Sequence, residues 1–345
     1  MTTIDYLGEI MEQPELLNRA LQTHLTPDSP LAKAVRGVLD MRPRRIVLTG
    51  MGSSLFAAYP AYLRLLGAGL GAIWIELSEL LHYAAGQIGP DTLLVIVSQS
   101  GESVEALRLL EDERQSGAVL AITNAENSTL AQHARWVVPT GAGPERTVAT
   151  KTYSTALLAL DLLSARITGA TPRELEAEYA PAVTATAQVA QDAPRQVEAL
   201  AQHWLSREPV SVVGRGPALS TALSAGLLFK ESAKVVAEGL SSAQFRHGPL
   251  EIAGAGHRMI ICTVPSPTLE LDRRLAGELQ RLGSQVLLVG PAANQYGVDA
   301  IALPDVAHAE LFTLLPLQVL VRETTLRNGI QPGSFRYIGK ITTTE

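Results

Sequence analysis

Residues Ser98-Gln99-Ser100-Gly101-Glu102-Ser103 place three hydroxyls, a primary amide and a glycine in six consecutive positions. They follow the apolar run Thr92-Leu-Leu-Val-Ile-Val97 and precede a segment of helical pattern. That combination suits a phosphate. The free N–H groups and positive dipole end of a helix start attract an anion, the glycine lets backbone come close, and hydroxyls add donors without adding charge. One serine before a helix would be an ordinary N-cap; three with Gln and Gly exceed what a cap requires. Gly50-Met-Gly-Ser-Ser54 adds two more hydroxyls at the end of another strand. Its G-x-G lacks the third glycine of a dinucleotide fingerprint, because position 55 is Leu, so no nicotinamide cofactor is expected despite Glu76 downstream. Cys262, the single cysteine, lies in an apolar run and reads as strand filling. No His, Asp and Glu cluster has metal-ligand spacing, so neither metal nor cofactor is expected.

The elements that must position these residues are legible as alternating strands and helices. Arg45–Thr49, Ala72–Ile75, Thr92–Val97 and Ala118–Ile122 read as buried strands, and Pro209–Val213, Arg258–Val264 and Gln285–Val289 form a second set. Strict alternation predicts an α/β chain with parallel sheets, helices on both faces and ligands at the carboxyl ends of the strands. Gly50-Met-Gly52 and Gly214-Arg-Gly216 each end a strand and precede a long apolar helix, Leu55–Leu66 and Leu219–Ser232, which marks a duplication. The expected organisation is a helical segment at 1–33, a first domain at 34–170, a helical linker at 171–206, a second domain at 207–330 and a tail at 331–345. In the second copy the place of the serine loop reads Pro265-Ser-Pro-Thr-Leu-Glu270, so only the first copy keeps an anion loop.

With 46% hydrophobic and 18% charged residues and a formal net charge of −6, the 345-residue chain reads as an ordinary globular protein. A mildly acidic chain with no basic run beyond Arg42-Pro-Arg-Arg45 excludes nucleic acid as a partner. No segment approaches the roughly 18 uninterrupted apolar residues of a membrane span, and the N-terminus lacks a signal-peptide pattern, so a cytoplasmic protein is expected.

The set of motifs resembles the double sugar-isomerase (SIS) domain family, which includes the isomerase half of glutamine:fructose-6-phosphate amidotransferase and free-standing glucosamine-6-phosphate deaminases. The resemblance runs from Glu9-Ile-Met-Glu-Gln-Pro14 through Gly52-Ser-Ser54, Ser98–Ser103, Ala142-Gly-Pro-Glu145 with Thr150-Lys151, Lys230-Glu231 with Glu238, and Arg246-His-Gly-Pro249, to the tail ending Lys340-Ile-Thr-Thr-Thr-Glu345. It implies two tandem flavodoxin-like, doubly wound domains. It places the phosphate ligands on Ser54, Ser98, Gln99, Ser100 and Ser103, the proton-transfer base on Glu231, the ring-opening histidine on His247 and an active-site lysine on Lys340. It also implies a homodimer with the active site at the interface, since in the family the histidine reaches across. Aldose–ketose interconversion moves one proton between adjacent carbons, work a single carboxylate can do, and pyranose opening suits an imidazole titrating near neutrality. The other histidines outside motifs, among them His24 and His308, read as surface or structural. Two departures stand out: Leu228 occupies a position where the amidotransferase has lysine, and the tail before Lys340 is longer and lacks its Pro-Arg-Asn sequence.

Because the chain starts at Met1-Thr2 without the N-terminal glutaminase domain of the amidotransferase, the leading expectation is isomerising deamination of glucosamine 6-phosphate to fructose 6-phosphate and ammonia. The alternatives are another phosphosugar isomerase, a deglycase for a 6-phosphosugar amine, and a non-catalytic sugar-phosphate-binding regulator. The segment Thr2–Arg36 is too short and too acidic for the DNA-binding helices such regulators carry.

Overall fold

The computed structural model describes residues 6–112, 116–337, 339 and 340. The chain divides into two compact units. One contains 16–145 and 151–180 with the described end of the tail; the other contains 6–15, 146–150 and 181–336.

The first unit is built on five parallel strands, β1 (Arg45–Gly50), β2 (Ala72–Glu76), β3 (Thr92–Val97), β4 (Ala118–Thr123) and β5 (Trp136–Pro139), in the order β2-β1-β3-β4-β5. The second repeats the pattern with β6 (Val210–Gly214), β7 (Ala237–Ser241), β8 (Arg258–Cys262), β9 (Gln285–Pro291) and β10 (Asp299–Leu303), in the order β10-β9-β8-β6-β7. Read from its other edge that is the same 2-1-3-4-5 order, with β1 and β6 in equivalent places. The duplication inferred from the paired glycine loops is therefore a duplication of topology.

All six residues of β3 and all five of β8 are buried, as expected of strands covered on both faces. Val47, Leu94, Ile96 and Ala121 anchor the core of the first unit, and Val213, Met259, Ile261 and Leu288 that of the second. The predicted strands are all present, although β2, expected to be buried, is a half-buried edge strand. The three that the sequence did not announce, β5, β7 and β10, are edge strands; β5 ends in Pro139, and β7 contains Glu238 and Gly239.

Two predicted helices differ in detail. The helix expected over Leu55–Leu66 is two, Ser53–Ala57 and Tyr59–Gly67. Pro60 has no N–H to give the carbonyl of Phe56, and the Ala58 amide closes the first piece on Leu55 and Phe56. The helix expected over Leu219–Ser232 is α-helical over Ala218–Leu228 and widens to a π turn at Phe229–Ala233. The stretch expected as a linker is the helix Pro172–Ala199 followed by Ala201–Trp204. No helix among the described residues is long and apolar enough to cross a membrane.

Candidate active site

Gly50 and Val97 are register partners, so the loops leaving β1 and β3 start side by side at the carboxyl edge of the first sheet. This brings Ser54 to the same edge as Ser98–Ser103. The Ser98 amide continues the sheet to Ile122 O (3.1 Å), and the loop then folds on its own serines. Gly101 N–H donates to Ser98 Oγ (3.1 Å) and Glu102 N–H to Ser100 Oγ (3.2 Å). Gln99 and Gly101 carbonyls accept from the N–H groups of Asn124 (3.2 Å) and Leu130 (3.1 Å), pinning the loop to the end of β4 and to the helix Thr129–His133. Gly101 is required twice: its φ is 65°, and a Cβ there would lie 2.0 Å from Ser128 Oγ.

The loop's one carboxylate is turned to another task. Glu102 accepts from Thr129 N–H (2.6 Å) and Thr129 Oγ1 (2.9 Å), capping the helix Thr129–His133. Ser103 occupies the N-cap position of Val104–Glu111, yet its hydroxyl makes no capping bond; the start of Ser53–Ala57, behind Gly52, is likewise not closed by a side chain. An anion at this edge would meet donors from both loops, with no ordinary cap to displace.

Lys340 belongs to the same unit, where its Nζ lies 2.8 Å from Glu145 Oε2. The Glu145 side chain is fully buried and also accepts from Thr152 N–H (3.1 Å) and Thr152 Oγ1 (2.6 Å) at the start of the helix Lys151–Ile167. The tail lysine is thus held by a buried carboxylate that also caps a helix. In the sequence Glu145 stands only in the motif Ala142-Gly-Pro-Glu145, whose spacing gives it no role.

Glu231 and His247 lie in the other unit. Glu231 is half-buried within the π turn Phe229–Ala233, the kind of helical irregularity that recurs at functional sites. His247 is exposed, in the turn after the short helix Ser242–Phe245. Glu231 precedes β7 at its amino end, whereas His247 follows its carboxyl end; five strand residues span roughly 16 Å. The structure therefore does not bring these two together within one chain. In this unit Glu9 is also buried, its carboxylate accepting from Arg146 N–H (2.6 Å), Thr147 N–H (3.3 Å) and Thr147 Oγ1.

The second sheet's counterpart of the Gly50-Met-Gly52 loop, at the end of β6, has a different filling. Arg215, between Gly214 and Gly216 at the end of β6, has its Nε 3.5 Å from Asp272 Oδ1, in the first turn of the helix Leu269–Arg281. The Asp272 side chain is 4% exposed. Burial holds its pKa above the usual carboxylate range, opposed by the Ser242 hydroxyl and the Arg215 guanidinium.

Two such sheets and a serine-rich loop at one strand edge fit the comparison with known families: residues 41–166 match the SIS domain family. Over 98% of its length the chain is 29% identical to a protein of Pseudomonas syringae pv. tomato named glutamine–fructose-6-phosphate aminotransferase [isomerizing], and 29% identical to a Pyrococcus horikoshii protein of the same name. It spans 58% and 57% of their lengths. Among solved structures, the C-terminal domain of glucosamine-fructose-6-phosphate aminotransferase from Francisella tularensis superimposes with a TM-score of 0.85 at 22% identity, covering 96% of this chain and 98% of that one. A glucosamine-6-phosphate deaminase from Thermotoga maritima gives 0.79 at 21% identity, covering 98% and 99%. Both establish the tandem SIS fold.

Proposed function

We propose that the protein isomerises an amino-sugar 6-phosphate and releases its amine, converting glucosamine 6-phosphate to fructose 6-phosphate and ammonia. The observation that carries this reading is the loop Ser98–Ser103, whose carboxylate is diverted to Thr129 and whose helix start is left uncapped, as a phosphate anchor requires. The sugar phosphates in the names of its curated relatives fit that anchor.

In the proposed reaction Glu231 removes the proton from C2 of the open-chain amino sugar and returns it to C1, giving a 2-imino ketose. Water adds to the C=N carbon and ammonia leaves, which balances the step without an oxidant or cofactor. His247 serves pyranose opening. Its exposure, and its place at the far end of β7 from Glu231, support a homodimer in which a second copy supplies the histidine. Lys340, held by Glu145, stands beside the substrate as the tail lysine.

The test measures ammonia and fructose 6-phosphate released from glucosamine 6-phosphate. Glu231→Gln should lower kcat by about 10²–10⁴, and mixing it with inactive His247→Asn should restore part of the activity through mixed dimers. A Glu231→Gln enzyme as fast as wild type would refute the assignment, and mixed variants as inactive as their parents would remove the shared site. A second reading, a deglycase for a 6-phosphosugar amine, is favoured by Leu228, a buried leucine without a charge to offer at that position. Turnover of a fructosamine 6-phosphate in preference to glucosamine 6-phosphate would select it.

A further inference from the structure

The turn that carries Glu231 ends on a residue ill suited to its conformation. Lys234 has φ 56° and ψ 35°, the left-handed region in which glycine usually closes a helix. The backbone there is conventional: the N–H groups of Lys234 and Val235 both turn back to Phe229 O, the latter at 3.0 Å. Glycine would make the same backbone bonds without the Cβ penalty. What only the lysine adds is its ammonium, which donates to the carbonyl of Glu231 and, at 2.6 Å, to the carbonyl of Ser334.

Ser334 lies in the lead-in to the tail, and that segment is tied to the same turn a second time. Gly333 N–H donates to Ser232 Oγ (3.1 Å), which also meets Thr325 Oγ1 (3.2 Å) on the helix Glu310–Arg327. The segment passes so close that a Cβ on Gly333, itself at φ 73°, would lie 2.5 Å from Thr147 Cβ. Burial lowers the pKa of Lys234, the Arg336 charge lowers it further, and Glu231 raises it.

We propose that Lys234 is a positioning residue for Glu231, its ammonium fixing the carbonyl of the base-bearing residue to the backbone of Ser334 so that the turn and the tail lead-in hold one geometry. The inference rests on Glu231 being the base. A mere helix cap and a positioning clamp respond oppositely to glycine, because glycine keeps the cap, relieves the backbone and deletes the ammonium.

The experiment compares Lys234→Gly, Lys234→Met and Lys234→Arg in the full chain. Lys234→Gly should melt no lower than wild type, yet lose at least tenfold in kcat with KM for the sugar phosphate within twofold, since the phosphate anchor lies elsewhere. Lys234→Arg, which keeps a cation, should regain most of the lost rate, and Lys234→Met should not. A Lys234→Gly enzyme with wild-type kcat, or one whose loss of rate follows a loss of stability, overturns the proposal. Glu231→Gln is measured alongside; should it be fully active, the base assignment fails, and amide hydrogen exchange decides the clamp by itself. Faster exchange over 229–235 and 331–336 in Lys234→Gly then upholds the clamp, and unchanged exchange sinks it.

Discussion

Replacing Gly101 by alanine tests whether the backbone of the serine loop makes the anion site. At φ 65° a Cβ costs about 1–2 kcal/mol of local strain. The added carbon would also lie 2.0 Å from Ser128 Oγ and 2.5 Å from Ser128 Cβ, so Ser128 must move. Ser128 caps the helix Thr129–His133 through Ala131 N–H (3.3 Å), and losing such a cap costs about 1 kcal/mol. Together these give about 2–3 kcal/mol, read by urea denaturation followed through Trp74 and Trp136, which lie in this unit. Displacing the loop should also weaken binding of inorganic phosphate or fructose 6-phosphate, measured calorimetrically, by tenfold or more, about 1.4 kcal/mol. Removing the obstacle separates the two contributions. Adding Ser128→Gly to Gly101→Ala leaves the φ strain and relieves the collision, so the pair should be less destabilised than the sum of its singles, with a coupling of about 1 kcal/mol. Wild-type stability and affinity in Gly101→Ala would refute the reasoning; full additivity in the double variant would show that Ser128 is not what alanine meets.

His24 and Lys340 give two further expectations. His24 is buried with both ring nitrogens lacking hydrogen-bond partners, and burial lowers its pKa from 6.5 to about 4. The unfolded chain therefore takes up a proton first as pH falls through 6.5, and stability is lost between that pH and about 4, amounting to about 2 kcal/mol by pH 5. His24→Leu should flatten this part of a pH series of urea unfolding curves, and an unchanged slope would contradict it. Lys340→Met removes the ammonium from the buried Glu145 carboxylate while leaving its bonds to Thr152, and with the lysine side chain 25% exposed the loss should be about 1–2 kcal/mol. Adding Glu145→Gln should return part of it in thermal unfolding; no effect of Lys340→Met would show that the pair does not hold the tail.

The interior strands were legible because a parallel strand buried on both faces writes a continuous apolar run, as Thr92–Val97 and Arg258–Cys262 do. Edge strands carry no such constraint. Ala237-Glu-Gly-Leu-Ser241 is a strand because β6 lies beside it, not because its residues prefer extension. The serine loop was legible for a related reason: its donors are local, so chemistry and sequence coincide. Glu231, the proposed base, could not be picked out by the rule that ligands gather at carboxyl strand ends, since it sits on a helix terminus before the amino end of β7, and only its resemblance to a motif singled it out. The partners of Lys234, Glu9 and Glu145 were beyond reach, because each bond joins segments that sequence spacing does not relate: 234 with 334, 9 with 147, 145 with 340.

The pair formed by Arg215 and Asp272 gives the two sheets different relations to their surroundings. A guanidinium at the strand edge is the natural complement of a phosphate, and in the second sheet a carboxylate from the same chain already meets it. A tethered counter-ion competes at an effective concentration on the order of millimolar or more, whatever the level of free anions outside. The charge of that crevice is thus set by the protein alone. In the first sheet the serine loop offers hydroxyls and amides while its carboxylate is spent on Thr129. Of two edges of common topology, one carries its own counter-ion, and the other presents donors without one.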